Sequence, residues 1–433
     1  MPREMMTNLH IHVVLSRELK KAGFGRVRSL SLTAILCAMC GSVLAQDDGQ
    51  PIKVGEADLF PSIQLDYLFN SNAFVTDDDE VETSGFGVSP SLLLKAERRL
   101  LSFELSYDGD YASFDESALN YDDHDLQLKT NAELSSRRRF QGGLRISKEH
   151  EDLGGGFTRG IADENSDQVE YLVAELNGEY TYGARDAQGN ITFGLELTDQ
   201  SFKSRSDLTD GQDYFRITPS GEFTYRLSDR SRALLEAGVS NWDFSESNRD
   251  RNDFFVNAGL VLSDSGKSGG TIRAGATRLQ FDESVFEDTT ELPVDIQLFY
   301  KPITQSRFDL IISRQIDDIE GGQISEGSEQ GVIDTFRLNW AHDWSGRVSS
   351  RAFVRLRASD RSCPTPDTEF VSSGFQLGLD IRRWLEIGAG LALESRTADD
   401  CSDVAFSDEL DFDRERANIF AVSYTHLTLP TKA

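Results

Sequence analysis

From about residue 58 to the end of the chain, apolar and polar residues alternate in segment after segment. Leu101, Phe103, Leu105 and Tyr107 are interleaved with Ser102, Glu104, Ser106 and Asp108. Ile191, Phe193, Leu195 and Leu197 alternate with Thr192, Gly194, Glu196 and Thr198. Leu385, Ile387, Ala389, Leu391 and Leu393 repeat the pattern, with Glu386 and Glu394 on the other parity. A period of two places every apolar side chain of a segment on one face of a β-strand. The pattern predicts strands near 61–70, 85–96, 100–112, 123–135, 139–149, 168–182, 189–202, 213–227, 231–243, 252–263, 270–281, 290–301, 306–317, 331–343, 347–359, 369–381, 384–396 and 414–425. No helical period intervenes. The expected fold is all-β: a transmembrane antiparallel up-and-down β-barrel of about 18 strands in a bacterial outer membrane, apolar outside and polar within.

Connection lengths sharpen this expectation. Short turns are expected at Glu97-Arg98-Arg99, Ser135 to Arg138, Leu227 to Arg230, Pro302 to Ser306, Ser345-Gly346 and Arg382-Arg383. Longer acidic loops are expected at 71–84, 113–122, 150–167, 203–212, 282–289, 318–330, 360–368 and 397–413. Short periplasmic turns and long outer loops are the usual asymmetry of such barrels. Pairing position i with 274 − i along 123–149 sets Leu134 opposite Phe140, Ala132 opposite Gly142, Thr130 opposite Leu144 and Leu128 opposite Ile146. The same register sets His124 opposite His150. Aromatics near strand ends read as interfacial girdles: Tyr107, Tyr111, Tyr180, Tyr182, Phe223, Tyr225, Phe299, Tyr300, Trp340, Trp344 and Trp384.

The N-terminus reads as an export signal over 1–45. Lys20, Lys21, Arg26 and Arg28 precede the apolar stretch Leu30 to Leu44, and Val43-Leu44-Ala45 offers small residues for cleavage before Gln46. A polar lead-in at 46–58 follows, then the barrel at 59–425. Near the end, Phe420, Val422 and Tyr424 share one face, on which a barrel chain is expected to close with an aromatic. Residues 426–433, from His426 through Leu427-Thr428-Leu429-Pro430-Thr431-Lys432-Ala433, break the pattern and read as a non-native tail.

Composition decides the partners. The chain has 433 residues and a net charge of −29. Removal of residues 1–45 takes away six Lys/Arg and two Asp/Glu, leaving −33. So acidic a chain excludes nucleic acid as a partner. It points to lipid and lipopolysaccharide around the barrel, the barrel-assembly machinery, and a lumen biased against anions. The expected lumen-lining residues carry both signs: Glu104, Lys129, Glu133, Arg145, Glu196, Arg216, Glu222, Arg226, Glu236, Arg351, Arg355 and Glu386. Charges facing lipid would cost a few kcal/mol each, and facing water they cost little.

Four cysteines are present, of which Cys37 and Cys40 lie in the signal. Cys363 and Cys401 fall in expected outer loops of an exported chain, where a disulfide between them would persist. No cofactor motif is present. A weak metal or hydrolytic candidate is the rim cluster of His124 and His150 with Asp122 and Asp125; a solvated acidic rim explains the same residues. Three function classes are in play: a diffusion or export pore, a non-transporting scaffold or adhesin for secreted polymer, and a rim-located hydrolase. The scarcity of histidine argues against the third.

The opening strand, Ile63-Gln64-Leu65-Asp66-Tyr67-Leu68-Phe69-Asn70-Ser71-Asn72-Ala73-Phe74, resembles the opening of the β-barrel porin family of the second type. That opening is a strand running into Asn-Ser-Asn and an aromatic. The resemblance implies an association with exopolysaccharide and PEP-CTERM gene clusters, and so a role in polymer export with polysaccharide or its export machinery as partner. It carries no catalytic residues over.

Overall fold

The structure is a computed structural model. It describes residues 51–424, except 78, 164–165, 246–248, 265, 284–286, 318–330, 361–366 and 399–409. The signal at 1–45, the tail at 426–433 and the pair Cys363 and Cys401 lie outside the described residues.

Eighteen long strands follow one another. They are Ala57–Asn70 (β1), Thr83–Arg98 (β2), Leu101–Phe114 (β3), Tyr121–Ser135 (β4), Arg138–Glu151 (β5), Val169–Tyr182 (β6), Gly189–Phe202 (β7), Tyr214–Arg226 (β8), Ser231–Phe244 (β9), Arg251–Leu262 (β10), Ser268–Phe281 (β11), Val294–Ile303 (β12), Ser306–Asp317 (β13), Gly331–Ser345 (β14), Val348–Asp360 (β15), Thr368–Arg382 (β16), Leu385–Ala398 (β17) and Phe412–Tyr424 (β18). Each pairs antiparallel with its neighbour in sequence. β1 pairs with β18 from Ser62 opposite Tyr424 to Asn70 opposite Arg416, so the sheet has no free edge. Closure satisfies every ladder and removes the exposed edge that an open sheet would present. The lead-in is not wholly irregular: Ile52–Val54 turns at Gly55 and pairs with the start of β1.

Alternation sorts the two faces. Leu65, Tyr67, Phe86, Leu105, Leu128, Leu144, Leu176, Phe193, Leu235, Val256, Val354, Leu377 and Leu391 stand exposed on the outer face all round the barrel. Glycines on this face are covered by rings. The Phe140 ring lies against Gly142 and Gly178, where the sheet would otherwise lack a side chain. Both chain ends of the barrel, Ala57 and Tyr424, lie on the side of the short turns.

One register differs from expectation. Ala132 is opposite Phe140, Leu128 opposite Leu144 and Leu126 opposite Ile146. The turn has two residues, Ser136 and Arg137, and Leu134 is bulged between Glu133 and Ser135. The bulge takes up one residue and the tighter turn another, so the slip is two. An even slip leaves every side chain on its face. Similar bulges stand beside the short turns of the β12–β13, β14–β15 and β16–β17 hairpins.

Phe299 also departs from expectation. It is adjacent to Tyr300, so the two cannot share a face. Tyr300 is the outward one. Phe299 sits opposite Asp309 on the inner face, with Arg307 and Lys301 4.9 Å and 5.6 Å from its ring centre. On β18, Phe420, Val422 and Tyr424 turn inward with Arg414, Arg416 and Asn418; Ile419 is the residue exposed outside.

Candidate functional site

The inner face of the barrel collects the charged residues that alternation sends away from the apolar side. On β4–β6, Arg145 stands among three carboxylates: Asp125 and Glu149 at 2.5 Å and Glu175 at 3.6 Å. The ladders cause this, since Gln127, Arg145 and Glu175 lie side by side on three staves. Below it, Lys129 is opposite Glu104, which also lies 3.9 Å from Lys95. Glu133 accepts from Arg185 Nε at 3.2 Å near the short turns.

A second group occupies β7–β11. Arg216 bonds Glu196 and also donates to Thr198 Oγ1 at 3.1 Å. Its guanidinium lies 4.8 Å from the centre of the Trp242 ring, and that of Arg251 lies 4.5 Å from it. Trp242 Nε1 donates to Asp253 at 2.7 Å, and Arg251 Nε donates to the same carboxylate at 3.0 Å. Trp242, Arg251 and Asp253 are all buried, so this is a locked piece of wall rather than an open stacking surface. Farther along, Arg273 reaches Glu222 at 3.4 Å and Glu236 at 3.9 Å. Arg226 pairs with Asp229 at the turn and donates to Asp186 O at 3.0 Å.

On β14–β17, Arg351 is opposite Gln376, and Arg355 is flanked by Arg337 and Ser372. Glu386 accepts from Tyr424 Oη at 3.4 Å. All twelve residues expected inside therefore share the face opposite the apolar one.

The rim cluster does not assemble. The β4–β5 ladder ends with His124 opposite Lys148, so His124 and His150 do not face each other. His124 turns outward to Tyr107 Oη at 2.9 Å and lies 3.5 Å from Asp122. Asp122 also takes Lys148 at 2.8 Å, and Asp125 belongs to Arg145. His150 turns the other way, with Nδ1 2.9 Å from Asp123 and Nε2 3.7 Å from Asp152. Among the described residues no group of three or more His, Cys, Asp or Glu side chains is arranged to hold a metal.

One feature of the long-loop end has no warning in the local pattern. The loop after β5 does not stay over its own hairpin but crosses the mouth toward β17 and β18. Leu153 buries itself with Ala73, Phe74 and Leu119 from neighbouring loops. Gly154 lies so close to Phe74 O, at φ +77°, that no side chain fits there. Arg396 Nη1 donates to Gly154 O at 3.5 Å. Asp152 comes within 3.5 Å of Arg416 and 3.8 Å of Arg414. These arginines also grip the buried Glu394, Arg414 at 2.5 Å and Arg416 at 2.7 Å. Crowding alone would raise the Asp152 carboxyl. Its contact with His150 and the charges of Arg416 and Arg414 outweigh that and hold it well below the ordinary carboxylate range. Glu394, Arg414 and Arg416 share the inward parity of their strands, which is the only sequence signal that could have found them.

No protein-family model and no curated protein matches the chain, so the resemblance of its opening strand rests on those residues alone. Solved structures do resemble it. The outer-membrane protein OpdK from Pseudomonas aeruginosa is 12% identical, with 85% of this chain and 99% of that one covered at a TM-score of 0.43. OpdL from the same organism is 10% identical, with 86% and 100% covered at 0.43. The FrpB iron transporter from Neisseria meningitidis is 8% identical, with 78% and 62% covered at 0.40, so this chain spans less than two thirds of that protein. At these values none of them bears on what this chain does.

Proposed function

We propose that this chain is an outer-membrane pore that passes polar solutes through its lumen, exported by a cleaved signal over 1–45 and set in lipid and lipopolysaccharide. The supporting observation is the sorting of faces on a closed sheet. An apolar outer band running round the barrel needs hydrocarbon, and a wall of paired charges needs water. A closed barrel of 18 staves has a bore wide enough for water, whereas one of eight is filled by its side chains. The role is passive and non-enzymatic. Within this reading the permeant is an exopolysaccharide in export, as the opening strand's resemblance implies, and diffusion of small polar solutes is the coarser form of the same function. Purified protein added to a planar bilayer is expected to give stepwise conductance. A folded, inserted barrel that never conducts would favour a surface scaffold instead.

A further inference from the structure

The two ends of the barrel carry opposite charge. By sequence, the eight short turns with two flanking residues on each side hold fourteen Lys or Arg and five Asp or Glu. Counted the same way, the nine long loops hold six Lys or Arg and forty-one Asp or Glu. One residue farther into the strands, the turn end gains Lys301 against Glu133, Asp343 and Asp380, and the lead-in adds Lys53 against Glu56 and Asp58. Neither step reverses the sign. A chain of net charge −29 therefore has one basic end. Its cations border the bore. Arg226 is directly opposite Arg232 on the inner face, and Arg139 is opposite Glu133. Arg139 and Arg232 donate to turn carbonyls, Gly183 O at 2.8 Å and Arg185 O at 2.6 Å. Arg99, Arg230, Lys267 and Arg347 stand exposed at the turn tips. Ion pairs at this end, such as Arg185 with Glu133, Arg226 with Asp229 and Arg307 with Asp309, are neutral as units, and the field comes from the remainder.

We propose that the pore is electrostatically sided: oligomeric anions enter it from the turn end and are turned away at the loop end. The proposal deepens the pore reading and rests on it for transit. A mouth of one sign set in a low-dielectric wall focuses its field and raises the local concentration and entry rate of the opposite sign by about 10- to 1,000-fold. This needs no vacant side chain, since it depends on net charge and not on a seat. An oligomer multiplies the effect, because each of its charges meets the same field within a screening length of about 8–10 Å. Short turns face the periplasm in barrels of this kind. An anionic chain leaving the cell thus meets attraction first and repulsion only behind it, whereas one arriving from outside meets the acidic loops first. An acidic periplasmic protein seated on the same rim is the competing occupant; it would bind there without entering.

The test uses hexaglutamate and hexalysine as probes, added to one side at a time of the full barrel in planar bilayers. An antibody to a tag fused at the C-terminus, beyond Tyr424 on the turn side, reports the orientation of each inserted channel. Hexaglutamate is expected to block from the turn side at a concentration at least tenfold lower than from the loop side, and hexalysine to show the reverse preference. Raising the salt to 1 M should collapse both preferences without any change of sequence, since the screening length falls to about 3 Å. Arg99→Glu, Arg230→Glu, Lys267→Glu and Arg347→Glu together, all at exposed turn tips, should abolish the preference of hexaglutamate, while Arg99→Lys, Arg230→Lys and Arg347→Lys should keep it. Heat-modified mobility on a gel reports folding; if the charge-reversed variant fails, the salt series carries the test. Equal block from both sides, a preference that survives 1 M salt or a folded charge reversal, or hexaglutamate that binds the turn end without interrupting the current would overturn the sided entry and leave the pore standing. A barrel that never conducts would overturn the pore and the transit together.

Discussion

The walls formed by β3–β6 and by β14–β16 are built from the same alternation and carry opposite electrostatics. On β3–β6 the inward face holds Glu104, Asp108, Asp110, Asp123, Asp125, Glu149 and Glu175, and the central Arg145 sits inside a shell of them. On β14–β16 the same face holds Arg337, Arg351, Arg355 and Arg357, with Asp343 and Asp380 toward the short turns. A net charge of −29 therefore does not describe the permeation path. What a solute meets depends on which staves carry each sign and how they are ordered round the barrel. Small cations are expected to follow the first wall, and small anions the second.

The largest effect should come from breaking the cluster that ties the loop after β5 to β17 and β18. Glu394 is buried between Arg414 and Arg416, which also face Asp152 from the loop that crosses the mouth. Glu394→Ala leaves two inward arginines without their closest carboxylate. Removing one partner of a buried pair typically costs about 3 kcal/mol. The urea midpoint of unfolding from vesicles should fall accordingly, while an unchanged midpoint would mean that Glu394 is not a tie. Replacing Trp242 by Phe is expected to cost less, about 1 kcal/mol, through the lost donor to Asp253. Double-mutant analysis with Asp253→Asn should show the two effects to be coupled, because they share that bond.

Selectivity separates the walls directly. Glu104→Gln with Asp125→Asn should lower the potassium-to-chloride permeability ratio, and Arg351→Ser with Arg355→Ser should raise it. The expected shifts are several-fold and opposite in sign, read from reversal potentials under a salt gradient. Shifts of the same sign would show that the walls do not act separately on small ions.

The strands and their faces were legible in the sequence because alternation is local and the apolar face is continuous. All eighteen expected strands correspond to observed ones within a few residues. Register was legible only modulo two, since hydrophobicity cannot distinguish Leu128 opposite Ile146 from Leu128 opposite Leu144. That ambiguity is harmless for a wall and decisive for a site. The expected meeting of His124 with His150 depended on the exact register, and the bulge at Leu134 removed it. The individual inward charges could be named from parity, but the segregation of their signs needed the order of staves round the closed barrel. The tie from Asp152 to Arg414 and Arg416 spans more than 260 residues of sequence, and no local pattern announces it.

That tie has a pH signature of definite sign. Asp152 is held below the ordinary carboxylate range in the folded barrel by His150, Arg416 and Arg414, against the opposing effect of crowding. A group whose folded pKa is depressed stabilises the fold above its unfolded value, about 3.9 for Asp, and loses that contribution as pH falls through the folded value. The ionisation of Asp152 itself should therefore stay complete between pH 5 and 8, and decline only in stronger acid. Half of its side-chain surface is accessible (51%), so screening keeps the effect small, below about 1 kcal/mol. Many other carboxylates titrate in acid, so the informative quantity is the difference between wild type and Asp152→Asn. Proteolytic nicking of the 152–168 loop should be faster in the variant at pH 6, and the gap between the two proteins should narrow in strong acid. No gap at pH 6 would show that the loop is held by Leu153 and its apolar neighbours rather than by the charge on Asp152.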